Sequence, residues 1–240
     1  MDFAWVRRFF DWIFPSCCYI CREEVHGDAV FCPSCFSQLT FIDVPVCTCC
    51  GKMMQTAMGD DPICVVCHDV GREFDSCRSL ILYDNISRKI ILRIKKHADT
   101  NVSKTCSRML AMKYSSIFRD ADLIVPVPSH WTRTILRGYN PSELIALELS
   151  KIVTVPTTNC LRRIRRTAYQ SNKTVDEREI NVTGAFSCTK DLVNKKIILV
   201  DDVMTTGATL NECARTLKMA GATYVVCITI ASTGINEAAS

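Results

Sequence analysis

From residue 78 onward, short apolar runs alternate with stretches in which apolar residues recur every three or four positions. The runs predict strands and the spaced stretches predict helices. Ser79 to Tyr83 reads as a strand. Residues 122–128 (Asp-Leu-Ile-Val-Pro-Val-Pro) read as a short strand that Pro126 and Pro128 bring to an end. Ile197 to Val200 is apolar and β-branched, as a buried central parallel strand requires, and Tyr224 to Ile230 predicts another. Helical spacing covers 86–96, 103–118, 142–153 and 208–220, with Gly221 as a C-terminal stop. Strands alternating with helices predict an α/β fold, a parallel sheet flanked by helices. The first 77 residues follow another pattern. Residues 3–14, rich in Phe, Trp and Ile, suffice for three helical turns before Pro15 and are expected to pack on the rest of the protein. Residues 17–67 have little apolar periodicity, and 162–182 are polar and rich in Arg and Lys, which predicts a long mobile loop.

Composition sharpens this division. The chain has 240 residues, 48% hydrophobic and 22% charged, with 9 Gly and 8 Pro, which excludes disordered and collagenous classes. No apolar run approaches the ~18 residues of a membrane span. Arg7, Arg8 and Asp11 interrupt the N-terminal apolar stretch, which also lacks a small-residue cleavage site, so a soluble cytoplasmic protein is expected. Eleven of the 16 Cys lie in residues 1–77. The same residues carry 5 Lys+Arg against 11 Asp+Glu, net −6, whereas 78–240 carry 24 against 14, net +10. Two compositions predict two domains, 1–77 and 78–240, the second suited to an anionic ligand.

The cysteines fall into four Cys-x-x-Cys pairs: Cys18/Cys21, Cys32/Cys35, Cys47/Cys50 and Cys64/Cys67. Such a turn places two thiolates on one side of an ion, and two turns close a tetrahedral zinc site. Two structural Zn²⁺ ions are therefore expected, and a polar segment of this length needs them to fold. Spacing leaves open whether each pair closes with its neighbour or crosses over, and whether Cys17, Cys49, His26 or His68 replaces a ligand. Buried core thiols do not come as four spaced pairs, and redox Cys-x-x-Cys opens a helix beside a strand, a context missing here. Cys64-Val-Val-Cys67-His68 also fits haem attachment, which needs an export signal that the N-terminus does not support.

The most informative stretch is Ile197 to Leu210, Ile-Ile-Leu-Val-Asp-Asp-Val-Met-Thr-Thr-Gly-Ala-Thr-Leu. A buried strand ends in two acids, and a loop of small and hydroxyl residues leads into a helix. Backbone N–H groups at a helix start, the helix dipole and Thr hydroxyls make an anion cradle, and Gly207 lets the anion approach closely. Asp201 and Asp202 suit a vicinal diol, so the pair of features suits a 5-phosphorylated ribose at the carboxyl end of a parallel strand. A plain helix cap by Thr205 or Thr206 would explain one hydroxyl, not two acids and three Thr around a Gly.

Val200-Asp-Asp-Val-Met-Thr-Thr-Gly-Ala-Thr209 resembles the phosphoribosyl-pyrophosphate (PRPP) motif of type I phosphoribosyltransferases. The paired-Cys region after Phe14-Pro15, the stretch Val125-Pro-Val-Pro-Ser-His130 with Arg133 and Arg137-Gly-Tyr-Asn140, and Leu161-Arg-Arg-Ile-Arg-Arg-Thr167 with Gly184-Ala-Phe186 resemble the ComF/GntX family, the competence-protein-like branch. Pro141 departs from that pattern, which usually has Gln after the Asn.

The resemblance implies a type I phosphoribosyltransferase fold behind an N-terminal double zinc ribbon. It implies that Asp201, Asp202, Val203, Met204, Thr205, Thr206, Gly207, Ala208 and Thr209 bind PRPP, with Mg²⁺ bridging ribose and pyrophosphate. Lys95, Arg133 and Arg137 would face the pyrophosphate. The implied reaction is displacement of pyrophosphate at ribose C1 by an unidentified nitrogen nucleophile. An alternative implied by the same branch is a non-catalytic phosphoribosyl-binding module that meets single-stranded DNA or a competence helicase during DNA uptake. The ribbon's net −6 disfavours direct DNA binding by that segment.

Overall fold

The computed structural model describes residues 16–27, 29–55, 59, 61–129, 136–165 and 182–234. The aromatic stretch 3–14, Arg133 and most of the expected mobile loop (166–181) lie outside the described residues.

Four strands form an all-parallel sheet: β1 (Ser76–Leu82), β2 (Leu123–Pro126), β5 (Lys196–Met204) and β6 (Tyr224–Ser232), in the order β1-β6-β5-β2. Both edges carry short additions. Phe41 bridges Ile81 antiparallel on the outer side of β1, with Ile42 N–H donating to the Leu80 carbonyl and Leu82 N–H to the Thr40 carbonyl. Thr157 bridges Ile124 in parallel beyond β2. A separate antiparallel pair is formed by β3 (Leu161–Arg163) and β4 (Phe186–Cys188). The Arg-rich composition of 161–163 hides this small strand from a sequence reading.

Helices α1 (Pro33–Ser37) and α2 (Val65–Val70) belong to the Cys-rich region, and α3 (Asn85–His97), α4 (Thr100–Lys113), α5 (Ser115–Arg119), α6 (Pro141–Val153) and α7 (Ala208–Met219) flank the sheet. The predicted helix over 103–118 is thus two helices that meet at Tyr114, whose hydroxyl donates to the Ser79 carbonyl at 2.7 Å. Capping explains the helix starts. Asp84 and Ser87 form a reciprocal capping box on α3, and Asp99 accepts from Val102 N–H on α4. Pro141 sits in the first turn of α6 behind the cap Asn140, where a missing N–H costs nothing, so the departure at this position fits the helix start.

The core has two halves, one on each face of the sheet. Ile90, Ile91 and Ile94 of α3, Val102, Cys106 and Leu110 of α4, and Ile145, Ala146 and Leu149 of α6 pack with Ile198, Val200, Val226 and Ile228. Leu210, Cys213, Ala214 and Leu217 of α7 pack with Val125, Ile197, Leu199, Val225 and Cys227. The α7 set recurs at i, i+3, i+4, i+7, and the other sets at steps of one, three and four, the apolar stripe of a helix laid on a sheet.

The Cys-rich region is a tandem pair that straddles the sheet. Val30, Phe31 and Leu39 of the first unit join the α3/α4/α6 core, whereas Cys47, Cys50, Cys64 and Cys67 of the second join the α7 core together with Phe74 and Cys77. Residues 40–42 cross the β1 edge between them. The change in composition near residue 77 therefore does not coincide with a break in packing.

Candidate functional site

Strand β5 runs to Met204, four residues past the end predicted from its apolar run, because β6 continues to pair with it through Ser232. Asp201 and Asp202 are therefore strand residues, and the turn proper is Thr205, Thr206 and Gly207. Gly207 has φ 83° and ψ −1° and takes the cap position of α7 without a side-chain cap. The Thr206 hydroxyl accepts weakly from Ala208 N–H, at 3.4 Å. A Cβ on Gly207 would lie 3.8 Å from Arg72 Nη1 and Met204 Sδ, ordinary contact distance, so positive φ and not crowding calls for glycine. The outcome is a 12-residue helix whose first N–H groups face a turn of small and hydroxyl residues. Thr205 is exposed, and Thr206 and Thr209 are half-buried beside it. The Met204 side chain is buried in the α7 core, so the motif uses its backbone: the Met204 carbonyl accepts from Thr233 N–H at 3.1 Å.

The two acids have different partners. Asp202 is buried and ion-paired with Lys95, Nζ to Oδ1 2.9 Å. Asp201 Oδ1 accepts from the Ser142 hydroxyl at 2.7 Å and from Asp202 N–H at 2.9 Å. Burial and the neighbouring Asp202 carboxylate push Asp201 up to about 7, against the opposing pull of those two donors and of Lys95.

The segment Gly138–Ser142 braces this arrangement. Tyr139 donates its hydroxyl proton to the Ile94 carbonyl at 2.7 Å and accepts from Ala98 N–H at 2.8 Å, which fixes the end of α3 that carries Lys95. Asn140 donates from Nδ2 to the Val127 carbonyl at 2.9 Å while capping α6, and Ser142 in the first turn of α6 reaches Asp201. The structure thus brings Lys95 to the acids and leaves Arg137 half-buried at the edge of the undescribed 130–135 segment. Ser142 and Tyr139 as positioning groups escaped the sequence reading, since one hydroxyl after Asn-Pro carries no signal that it meets an acid 59 positions away.

The cysteines resolve into two sets, Cys18/Cys21/Cys32/Cys35 and Cys47/Cys50/Cys64/Cys67, each with its sulfurs within 4.8 Å of one another. Each pair closes with its neighbour in sequence. Cys21 and Cys32 Sγ lie 3.5 Å apart and Cys50 and Cys64 Sγ 3.7 Å apart, close to the edge of about 3.8 Å that a tetrahedron of zinc–sulfur bonds of about 2.3 Å has. Backbone N–H groups of Cys35, Cys50 and Cys64 donate to ligand sulfurs at 3.4 Å, which favours thiolates. The residues therefore fit two closed four-thiolate zinc sites with no open position for catalysis. Cys17 and Cys49 are outside both sets, and His26 and His68 are exposed.

Residues 97–239 match the phosphoribosyl transferase domain family, and residues 9–68 match the double zinc ribbon domain. The chain belongs to the phosphoribosyl transferase family. The ribbon in front of that domain gives it the ComF-type architecture. It is 28% identical over 217 residues to competence protein F of Haemophilus influenzae, covering 85% of this chain and 91% of that one. It is 29% identical over 204 residues to competence protein ComFC of Bacillus subtilis, covering 81% and 80%. Among solved structures, the glutamine PRPP amidotransferase of B. subtilis superposes with a TM-score of 0.40 at 23% identity, over 57% of this chain and 30% of that one. This ComF-family protein thus carries structural zinc ribbons and a phosphoribosyltransferase fold, and no helix among the described residues is long and apolar enough to cross a membrane.

Proposed function

We propose that this ComF-family protein binds PRPP with Mg²⁺ at the β5–α7 turn and transfers the phosphoribosyl group to a nitrogen nucleophile, releasing pyrophosphate. The observation that carries this reading is the N-terminus of α7 at Gly207, without a side-chain cap on that residue and five positions after two carboxylates near the carboxyl end of a parallel strand. The N–H groups of Thr206 to Thr209 and the Thr hydroxyls hold the 5-phosphate. Asp201 and Asp202 accept from the ribose 2′- and 3′-hydroxyls, and their oxygens are the hard donors Mg²⁺ takes. Bound Mg²⁺ would neutralise charge developing on the pyrophosphate. Lys95 moves between Asp202 and the pyrophosphate side, where Arg137 and Arg133 add positive charge. The names of the two relatives, both competence proteins, support a role in competence.

One observation favours a second reading, binding without turnover. Asp202 Oδ1 is engaged by Lys95 and Asp201 Oδ1 by Ser142 and Asp202 N–H, so in the ligand-free arrangement one oxygen of each acid is already held by the protein. Incubation with Mg²⁺, PRPP and a panel of nucleobases separates the two. Pyrophosphate release dependent on one base is the expected result. Tight PRPP binding with no release from any base would establish the module instead, and no PRPP binding would overturn both.

A further inference from the structure

The second zinc ribbon does more than pack near the β5–α7 turn; Arg72, just after it, holds one carbonyl of the turn directly and Lys52 reaches another through Thr233. Arg72, five residues after the zinc-site Cys67, donates from Nη2 to the Thr206 carbonyl at 3.1 Å. Lys52, two residues after Cys50 and only 8% exposed, donates from Nζ to the Thr233 hydroxyl at 3.3 Å. Thr233 in turn donates to the Thr205 carbonyl at 3.3 Å. The main chain joins in: Glu73 N–H donates to Asn211 Oδ1 in the first turn of α7 at 2.6 Å.

The direction of these bonds matters. In a planar trans peptide the C=O and the N–H of the next residue point opposite ways. Holding the Thr206 carbonyl on Arg72 therefore turns the Gly207 N–H away from the ribbon, and holding the Thr205 carbonyl on Thr233 fixes the direction of the Thr206 N–H. Arg72 also brings a full positive charge to within 3.8 Å of the Cβ direction of Gly207. The position of Arg72 depends on the Cys64-x-x-Cys67 turn, and that of Lys52 on the Cys47-x-x-Cys50 turn, where Cys47 N–H donates to the Lys52 carbonyl at 2.9 Å. A bound Zn²⁺ would hold both turns in shape.

We infer that the second zinc ribbon is part of the phosphate site: Arg72 and Lys52 are positioning residues that couple the Cys47/Cys50/Cys64/Cys67 zinc site to the Thr205–Gly207 turn, so that each site binds its ligand more tightly when the other is filled. The inference rests on the reading of that turn as a phosphate cradle. The first ribbon packs on the opposite face of the sheet and serves as an internal reference.

Coupling of two sites is reciprocal in their affinities. The test is zinc affinity in the full-length, zinc-loaded protein, measured by competition with a chromophoric chelator, with and without saturating ribose 5-phosphate. Calorimetry with ribose 5-phosphate on the same preparation reads the other side of the cycle. The expected result is that one of the two zinc equivalents tightens by at least about five-fold, the lower end of measured couplings, while the other does not move. Arg72→Ala should retain two zinc ions, lose that shift and bind ribose 5-phosphate correspondingly more weakly; Lys52→Gln gives the same reading should Arg72→Ala fold poorly. Ribose 5-phosphate binding with both zinc affinities unchanged would overturn the coupling and leave the cradle standing. No binding of ribose 5-phosphate at all would overturn the cradle and the coupling together.

Discussion

At the scale of single residues, the two adjacent acids separate in role because their surroundings differ. Asp201 is pushed up to about 7 by burial and by Asp202, above the value near 4 of an unfolded carboxyl. The folded state therefore holds the proton more tightly than the unfolded state does. Folding stability from this group is greatest below about pH 4, falls as pH rises toward 7, and carries the full penalty above it. Asp201→Asn should melt higher than the parent at pH 8 and no higher at pH 4; an equal difference at both would contradict the assignment. Asp202 behaves otherwise, since its ion pair with Lys95 is partly shielded, the side chains being 12% and 29% exposed. The adjacency of two acids in sequence predicts mutual repulsion that either substitution relieves, but Lys95 gives Asp202 a counter-charge. Asp202→Asn should cost about 1 kcal/mol in the free protein, measured by denaturant unfolding, after allowance for solvent screening. A gain in stability would count against the pair.

At the scale of elements, two glycines with positive φ test different things. A Cβ on Gly51 would meet the Cys77 carbonyl oxygen at 2.2 Å, where the second ribbon lies against the start of β1, with Cys77 N–H donating to the Cys49 carbonyl. Gly51→Ala should cost about 2–4 kcal/mol through overpacking and backbone strain. Gly207 has room for a methyl group, so Gly207→Ala should cost only about 1–2 kcal/mol of stability while weakening phosphate binding at the turn. Denaturant unfolding and ligand titration of the two variants check the contrast, and equal losses in both assays would refute it. The elements also show what the chain made legible. The Cys pairs and the Asp-Asp to Thr209 stretch could be read because each concentrates its chemistry within a few positions and repeats a spacing that geometry demands. The length of β5 could not be read, because Asp201 and Asp202 interrupt the apolar run and only pairing with β6 extends it. Ser142, Arg72 and Lys52 were hidden for a related reason: their partners lie 59, 134 and 181 positions away, and no local pattern announces such contacts.

At the scale of the whole molecule, the tandem ribbons act as a clasp across the sheet. Val30, Phe31 and Leu39 contribute to the core beneath α3 and α4, and a fully buried side chain of this size contributes about 1.5–3 kcal/mol. Compositional contrast at residue 77 predicts two domains, and a core that Val30, Phe31 and Leu39 share with the sheet helices would link their stabilities. Cys32→Ser, which removes a ligand of the first zinc site, should therefore lower the melting temperature of the sheet as well as loosen the ribbon. A sheet transition at the parent temperature, followed by hydrogen exchange in β5 and β6, would contradict the linkage. The proposed ligand site is the turn between β5 and α7. Its most direct test is calorimetric titration of the zinc-loaded, full-length protein and its Asp201→Asn, Asp202→Asn and Gly207→Ala variants with PRPP in the presence of Mg²⁺. The expected result is saturable binding of one PRPP per chain that weakens by about 10- to 150-fold in each variant, the equivalent of about 1.5–3 kcal/mol. Parent-like affinity in all three folded variants would place the ligand elsewhere and contradict the account.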